Sequence, residues 1–208
     1  TALIREKGLA DAVIAHIPDG KFDDAALQAE LDGFSGLEGL DLAKEVTTTQ
    51  TYRWDETRWQ WGEGYGHVEN PQFHVVALDF GAKRNILRCI SDQGARVTIL
   101  PATATAEEVL AHDPDGIFLS NGPGDPAATG EYAVPVIREL LDADSPIFGI
   151  CLGHQILALA LGGRTVKMHQ GHHGANHPVK DHTTGKVEIV SMNHGFAVDS
   201  KSLPEGVV

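Results

Sequence analysis

The amino-acid sequence predicts an α/β fold in which helices flank both faces of a mostly parallel sheet. From residue 73 onward, short apolar segments alternate regularly with segments of helical spacing, which is the pattern of successive βαβ units. One apolar segment, residues 147–150, runs into a cysteine and then directly into a helical pattern. A strand, a sharp turn and a helix in that order are typical of the same class of fold.

The composition is that of a globular protein and excludes several function classes. The 208 residues carry a formal charge of −13, which disfavours binding to nucleic acid or to an anionic membrane surface. No apolar run is long enough to predict a membrane span. Cys89 and Cys151 are the only cysteines, so we predict no disulfide framework and a reducing, cytoplasmic setting.

The first 72 residues differ from the rest of the chain and are interpreted as the C-terminal part of a small N-terminal domain followed by a linker. Three tryptophans fall within residues 47–61, where packing is a better explanation than a stacking surface for a ligand. The predicted elements are helices over residues 1–8 and 22–31, a short strand over 12–15, a hairpin within 47–61 and a glycine-rich linker over 62–71.

The second domain is predicted to cover residues 73–208. Its predicted strands cover residues 74–80, 96–100, 116–120 and 147–150, and its predicted helices cover residues 83–90, 105–112, 131–141 and 155–161. Thr105 and Glu108 have the spacing of a capping box. Pro135 is expected to bend or begin its helix, and Cys89 is expected in the core.

Cys151 is the candidate nucleophile. Gly149 and Gly153 flank it two residues to either side, as in a nucleophile elbow with cysteine in place of serine. Small residues are required there because the turn is strained and crowded. The N-terminus of the following helix is expected to lower the pKa of the thiol and to favour the reactive thiolate. The alternative is a buried, inert cysteine.

A second loop follows Ser120 and contains two glycines and two prolines within residues 121–126. Ligands of parallel sheets bind beyond the carboxyl ends of the strands, so this loop is expected beside the elbow. A backbone N–H of Gly122 or Gly124, together with that of Leu152, would then form an oxyanion hole. A plain tight connection is the alternative, and a phosphate-binding loop fits poorly because the Gly-Lys-Ser/Thr ending is missing.

A histidine-rich run follows the elbow helix and raises the question of zinc. Its members are His169, His172, His173, His177, His182 and His194. Their spacing fits no standard structural zinc site and no cysteine lies nearby, so we predict no metal. Residues 186–192 predict a strand that delivers residues 193–196 to a turn. From chemistry alone, His194 is the first candidate base for Cys151.

The elbow and the loop over residues 121–126 resemble those of triad (class I) glutamine amidotransferases. Three further stretches, residues 79–85, 171–179 and 193–199, resemble the glutamine-hydrolysing small subunits of carbamoyl-phosphate synthases, and residues 41–46 extend the likeness towards the N-terminus. The resemblance covers nearly the whole chain. The amidotransferase domains of other synthases, such as anthranilate or GMP synthase, are the first alternative.

The resemblance implies that Cys151 attacks the side-chain amide of glutamine, forms a thioester and releases ammonia. It implies oxyanion donors at Leu152 and Gly122, and glutamine-binding positions at Gly122, Gly124, Leu152, Gln155, Asn193, Gly195 and Phe196. It assigns the catalytic base to the histidine of a later His-Pro-Glu segment rather than to His194. No such segment follows Cys151 in these 208 residues, and the serine that the family's N-terminal part supplies is also missing.

The chain is therefore expected to be a fragment that lacks both ends and is inactive alone. The resemblance implies a large partner subunit that receives the ammonia and makes carbamoyl phosphate for arginine and pyrimidine biosynthesis. It implies no cofactor in this chain, with ATP and Mg²⁺ confined to the large subunit. A catalytically incompetent partner-binding fragment is the second alternative.

Overall fold

A computed structural model of the chain describes residues 6–7 and 11–207. They form two compact units. The smaller unit comprises the described residues up to Glu38 together with Lys167–Ala197, and the larger comprises Gly39–Val166 and the described residues from Val198 onward. Residues 39–72, interpreted above as the end of a first domain, belong to the larger unit. The division of the protein into domains at residue 72 stays a prediction.

The bounds of the elements are as follows. The strands are β1 (Tyr52–Trp54), β2 (Glu56–Gln60), β3 (Gly64–His67), β4 (Phe73–Asp79), β5 (Ala95–Pro101), β6 (Gly116–Leu119), β7 (Ile147–Gly149), β8 (Thr165–Lys180) and β9 (Val187–Val198). The α-helices are α1 (Asp24–Gly33), α2 (Ala43–Val46), α3 (Arg84–Ser91), α4 (Ala106–Leu110), α5 (Pro126–Asp142) and α6 (Leu152–Ala160), and Ser200–Ser202 is a 3₁₀ helix.

The larger unit is built on a five-stranded sheet with the order β1-β5-β4-β6-β7. The four strands from β4 to β7 are parallel, and β1 pairs antiparallel with β5 at one edge. The elbow strand β7 is the opposite edge. The predicted mostly parallel sheet is confirmed, and all four predicted strands form within a residue or two of their predicted bounds.

Alternate residues of β4 supply the two hydrophobic cores of this unit. Val76 and Leu78 pack with residues of α5 and α6, including Ile137 and Ile156. Ala77 packs in the other cluster, which contains Leu87 of α3. Because successive side chains of a strand point to opposite faces, these clusters place helices on both sides of the sheet, as predicted.

Helix α5 begins earlier than predicted. Its first residue is Pro126, and the Asp125 side chain accepts a hydrogen bond of 2.8 Å from the Ala127 N–H as the N-cap. Proline is favourable in a first helical turn because its missing N–H would lack an intrahelical partner there. Pro135 was expected either to bend the helix or to begin it. It does not begin the helix, because it lies inside α5.

Several other predictions are wrong. Residues 12–15 form no strand, and Ile14 is 98% exposed. Cys89 is exposed rather than in the core, because its neighbours Ile86 and Ile90 take the face of α3 that packs on the sheet. The helix predicted over residues 1–8 lies outside the described residues, except for two helical residues at 6–7.

The tryptophan-rich stretch is not one hairpin. β1 leaves it to join the main sheet beside β5, while β2 pairs antiparallel with β3. Residues 62–71 therefore hold a strand rather than only a linker, because the glycines at 62 and 64 adopt positive φ and turn the chain back. Trp54 packs against the core, whereas Trp59 and Trp61 are exposed, so the packing explanation holds for Trp54 alone.

Four of the six histidines of the run lie in β8, a long strand that the sequence did not predict: His169, His172, His173 and His177. His182 lies in the turn that follows β8, and His194 lies in β9. β8 and β9 form a two-stranded sheet, and a turn joins them at Asp181, whose N–H donates to the Lys186 carbonyl. Residues 193–196 lie within β9, so the turn predicted there is wrong. No helix of the described residues is long and apolar enough to cross a membrane.

Asp125 ties the loop over residues 121–126 to the segment before α2, which gives a prediction for stability. Its carboxylate caps α5 and also accepts a hydrogen bond of 2.8 Å from the Gly39 N–H. Asp125→Ala is expected to cost about 2 kcal/mol, because both donors lose their acceptor, and to lower Tm by about 5 °C. Asp125→Asn keeps one acceptor oxygen, so its Tm should lie between those of wild type and Asp125→Ala. A wild-type Tm for Asp125→Ala by calorimetry contradicts this role.

Candidate active site

Cys151 has a strained backbone at the junction of β7 and α6. Its φ of 53° and ψ of −109° lie outside the regions that residues with a Cβ normally occupy. Two hydrogen bonds to the neighbouring strand hold the turn: the Ile150 N–H donates to the Leu119 carbonyl at 3.1 Å, and the Gly153 N–H donates to the Ser120 carbonyl at 3.0 Å. Strain of this kind persists where the surrounding structure enforces it.

The glycines of the elbow are required because there is no space for a side chain. A Cβ on Gly153 would overlap the carbonyl of Leu119, and one on Gly149 would lie 2.6 Å from the Gly153 carbonyl carbon and the His154 nitrogen. Close packing of helix α6 on the sheet therefore depends on these two positions. The predicted nucleophile-elbow geometry is present.

The loop after β6 lies beside the elbow. A Cβ on Gly122 would overlap the Phe80 carbonyl and come within 2.7 Å of the Leu152 side chain. Gly124, with φ of +94°, lies instead against the backbone of Leu40 and Leu42. The structure thus brings Gly122 to Leu152. Within residues 11–207, no group accepts a hydrogen bond from the Gly122 N–H.

A polar side-chain network holds the loop after β4 against the loop after β6. The Asp79 carboxylate accepts hydrogen bonds from the N–H groups of Gly81 and Ala82 at 3.0 and 2.7 Å. The Asn121 amide donates to the Gly81 carbonyl at 3.0 Å and accepts from the Lys83 N–H at 3.0 Å. Lys83 was not predicted as a site residue, although it lies within the motif over residues 79–85.

The pKa of the Cys151 thiol is shifted in the direction opposite to the one predicted from the sequence. Burial raises the pKa of the Cys151 thiol, and this outweighs the hydrogen bond from the Leu152 backbone N–H and the positive charge of Lys83, which both act to lower that pKa. The expected fall in the thiol pKa is therefore wrong for this structure. One reason is that the Gly153 N–H at the start of α6 is already bonded to the Ser120 and Ile150 carbonyls, so fewer helix-terminal donors face the sulfur.

The remaining predicted residues lie in two places. Gln155 is buried in the first turn of α6, where its N–H donates to the Cys151 carbonyl at 3.0 Å. Asn193, Gly195 and Phe196 lie on β9 in the smaller unit, and the glutamine-binding role of all four stays a prediction. No group of three or more metal-binding side chains suited to an ion occurs among the described residues.

Comparison with known proteins identifies a family that agrees with the nucleophile-elbow geometry at Cys151. Residues 76–208 match the family described as glutamine amidotransferase class-I. The chain belongs to this family. A solved structure from Thermoplasma acidophilum, assigned to a GMP synthase, matches with a TM-score of 0.55 at 23% identity, covering 64% of this chain and 69% of that one. At this identity the match supports the class I fold alone.

Curated relatives share far more of the sequence of this chain. The chain is 72% identical over 209 residues to a carbamoyl phosphate synthase small chain of Ruegeria pomeroyi, and 72% identical over 207 residues to one of Brucella anthropi. Each match covers 100% of this chain but only 54% and 51% of the relative. The chain therefore spans about half the length of the curated relatives it matches.

The packing at Gly153 gives a prediction for the elbow. Gly153→Ala is expected to cost about 3 kcal/mol, because the new methyl group must displace the β6 backbone, and to lower Tm by about 10 °C. Gly116→Ala in the same unit is the control, since its Cβ would meet only the Pro146 carbonyl at 3.7 Å. Calorimetry of both variants tests this, and equal Tm values would show that the elbow is not crowded.

Proposed function

We propose that this chain is part of the glutamine-hydrolysing subunit of a carbamoyl-phosphate synthase. The observation that carries the proposal is the elbow itself, where the Leu152 N–H hydrogen-bonds the Cys151 sulfur and Gly122 packs against Leu152. A nucleophile with a backbone donor at its sulfur suits acyl transfer, and the Gly122 N–H is proposed as a second donor. The high identity to carbamoyl phosphate synthase small chains favours this reaction over the amidotransferase reaction of another synthase.

In the proposed reaction, the Cys151 thiolate attacks the side-chain amide carbon of glutamine. The C–S bond forms as the C=O π electrons move onto oxygen, and the tetrahedral intermediate then expels the amide nitrogen, which leaves as ammonia after taking up a proton. The γ-glutamyl thioester that remains is hydrolysed by water to glutamate and the free thiol. Proton transfer is expected from the histidine of the family's His-Pro-Glu segment, which these 208 residues do not include.

The backbone N–H groups of Leu152 and Gly122 are proposed to stabilise the oxyanion. An oxyanion donor of this kind is worth about 2.7–4 kcal/mol in the transition state. Neither donor is a side chain, so their positions depend on the fold. As the family resemblance implies, Gln155, Gly124, Asn193, Gly195 and Phe196 are proposed to bind the rest of the glutamine.

The proposed partner is the large subunit of the synthase, which receives ammonia and makes carbamoyl phosphate for arginine and pyrimidine biosynthesis. In this scheme ATP and Mg²⁺ bind to the large subunit, and this chain needs no cofactor of its own. We place the protein in the cytoplasm, where Cys89 and Cys151 remain thiols.

The raised pKa of Cys151 gives a prediction that needs no substrate. In a Cys89→Ser background, alkylation of Cys151 by iodoacetamide should reach its half-maximal rate at a higher pH than for an unstructured cysteine peptide, because burial disfavours the thiolate. Lys83→Met should move this midpoint further upward, since a nearby positive charge is lost.

Lys21→Met is the control for the lysine substitution, because Lys21 is exposed. Its midpoint should equal that of the Cys89→Ser background. A wild-type midpoint below that of the peptide would show that the helix terminus and Lys83 outweigh burial after all.

Substitution of the nucleophile tests the function itself. In the complete gene product assembled with its large subunit, Cys151→Ser should abolish carbamoyl phosphate synthesis from glutamine and leave synthesis from added ammonia intact, because only the first requires the thioester. Both rates are measured with the same ATP and bicarbonate. Loss of both rates would mean that Cys151 maintains the fold or the subunit contact, and retention of the glutamine-dependent rate would reject the proposed nucleophile.

A further inference from the structure

Two consecutive histidines of β8 contact the segment of β9 that holds three of the proposed glutamine-binding residues. The Nδ1 of His173 lies 2.7 Å from the Asn193 side-chain oxygen. An amide oxygen can only accept a hydrogen bond, so the His173 Nδ1–H is the donor. This bond fixes which end of the Asn193 amide faces His173.

The second contact is a chain of hydrogen bonds through His194. The His194 Nδ1 lies 2.8 Å from the Phe196 carbonyl oxygen, so Nδ1 carries the proton and donates. In the neutral ring, Nε2 is then an acceptor. It lies 3.2 Å from the Nδ1 of His172, which therefore donates to it. The direction of every bond in the chain follows from the one carbonyl at its end.

Three further observations concern this chain of hydrogen bonds. The centroid of the His172 ring lies 4.9 Å from that of His194 and 5.2 Å from that of His177. A Cβ on Gly171 would come within 2.6 Å of the His194 carbonyl oxygen, so the two strands are close at this point. Burial and the neighbouring histidines lower the pKa of His172, which favours the neutral ring.

The geometry points to His172 and His173 as positioning residues for glutamine binding, each holding a different part of residues 193–196. His173 orients the Asn193 amide, and His172 acts through His194 on the backbone at Phe196. The proposal rests on the proposed function, because it takes Asn193, Gly195 and Phe196 as the glutamine-binding positions.

The hydrogen bonds also give both ring nitrogens of His194 partners other than a metal ion. The nitrogens of His172 and His194 that face one another share a proton, and the second nitrogen of His194 donates to a carbonyl. Neither ring nitrogen of His194 therefore offers a lone pair to an ion. His172 and His173 each contribute an N–H donor at Nδ1. The side-chain amide of asparagine has an N–H at about the same place, so asparagine is the conservative replacement for either histidine.

The test compares leucine and asparagine variants in the complete gene product assembled with its large subunit. His172→Leu and His173→Leu should each raise KM for glutamine about tenfold, the loss of one hydrogen bond, with kcat and the ammonia-dependent rate nearly unchanged. His172→Asn and His173→Asn should restore KM to within about threefold of wild type. The double leucine variant should show the product of the two effects, about a hundredfold, because the two histidines act on different atoms.

His182→Leu is the control, since His182 lies exposed in the turn between the strands, and its KM should equal that of wild type. A wild-type KM in both leucine variants overturns the proposal. Asparagine variants as impaired as leucine variants also overturn it, because the histidines would then serve packing alone.

Imidazole ¹⁵N NMR separates this proposal from the proposed function, because it needs no turnover. Nδ1–H tautomers at His172 and His194 support the hydrogen-bond chain, and Nε2–H tautomers at both overturn it. If glutamine-dependent synthesis survives Cys151→Ser, the proposed function fails and the tautomers alone decide whether the chain of bonds exists. If Cys151→Ser abolishes that synthesis and both leucine variants keep a wild-type KM, the proposed function stands and the positioning role fails.

Discussion

The backbone of Cys151 is the constraint on which the larger unit depends. A residue with a Cβ is held at φ of 53°, and this is possible only because the turn is bonded on both sides to the end of β6. The glycines at 149 and 153 let helix α6 approach the sheet so closely that a methyl group would overlap the backbone. The position of the Cys151 sulfur therefore depends on how closely α6 packs against the sheet and on the distance between β6 and β7. A change in either one moves the nucleophile.

Hydrogen bonds from polar side chains to backbone groups hold the loops around the elbow. Asp79, Asn121 and Asp125 each bond to main-chain groups of a neighbouring loop or segment. Such bonds hold the backbone on either side of Gly122 and the Lys83 N–H in place. This rigidity suits an oxyanion hole made of N–H groups, since preorganised donors need no rearrangement as the charge develops.

Burial of the thiol opposes the formation of the nucleophile. The pKa of Cys151 is raised by burial even though Lys83 and the Leu152 N–H act in the other direction. Under the proposed function, a base is therefore needed to take the proton as glutamine binds, which agrees with the triad that the family resemblance implies. Reactivity is then controlled by the approach of substrate and base rather than by a permanently ionised sulfur.

Local pattern determined the parallel sheet, the elbow and the loop beside it, because apolar runs, glycine spacing and capping residues act over a few neighbouring positions. The capping box at Thr105 formed as predicted. The tertiary structure alone decided features that depend on distant partners. β1 joined β5 across more than forty residues, and Cys89 became exposed because Ile86 and Ile90 occupy the buried face of α3. The Cys151 pKa is likewise raised by burial, which outweighs the opposing charge of Lys83, and neither effect is a property of the local sequence.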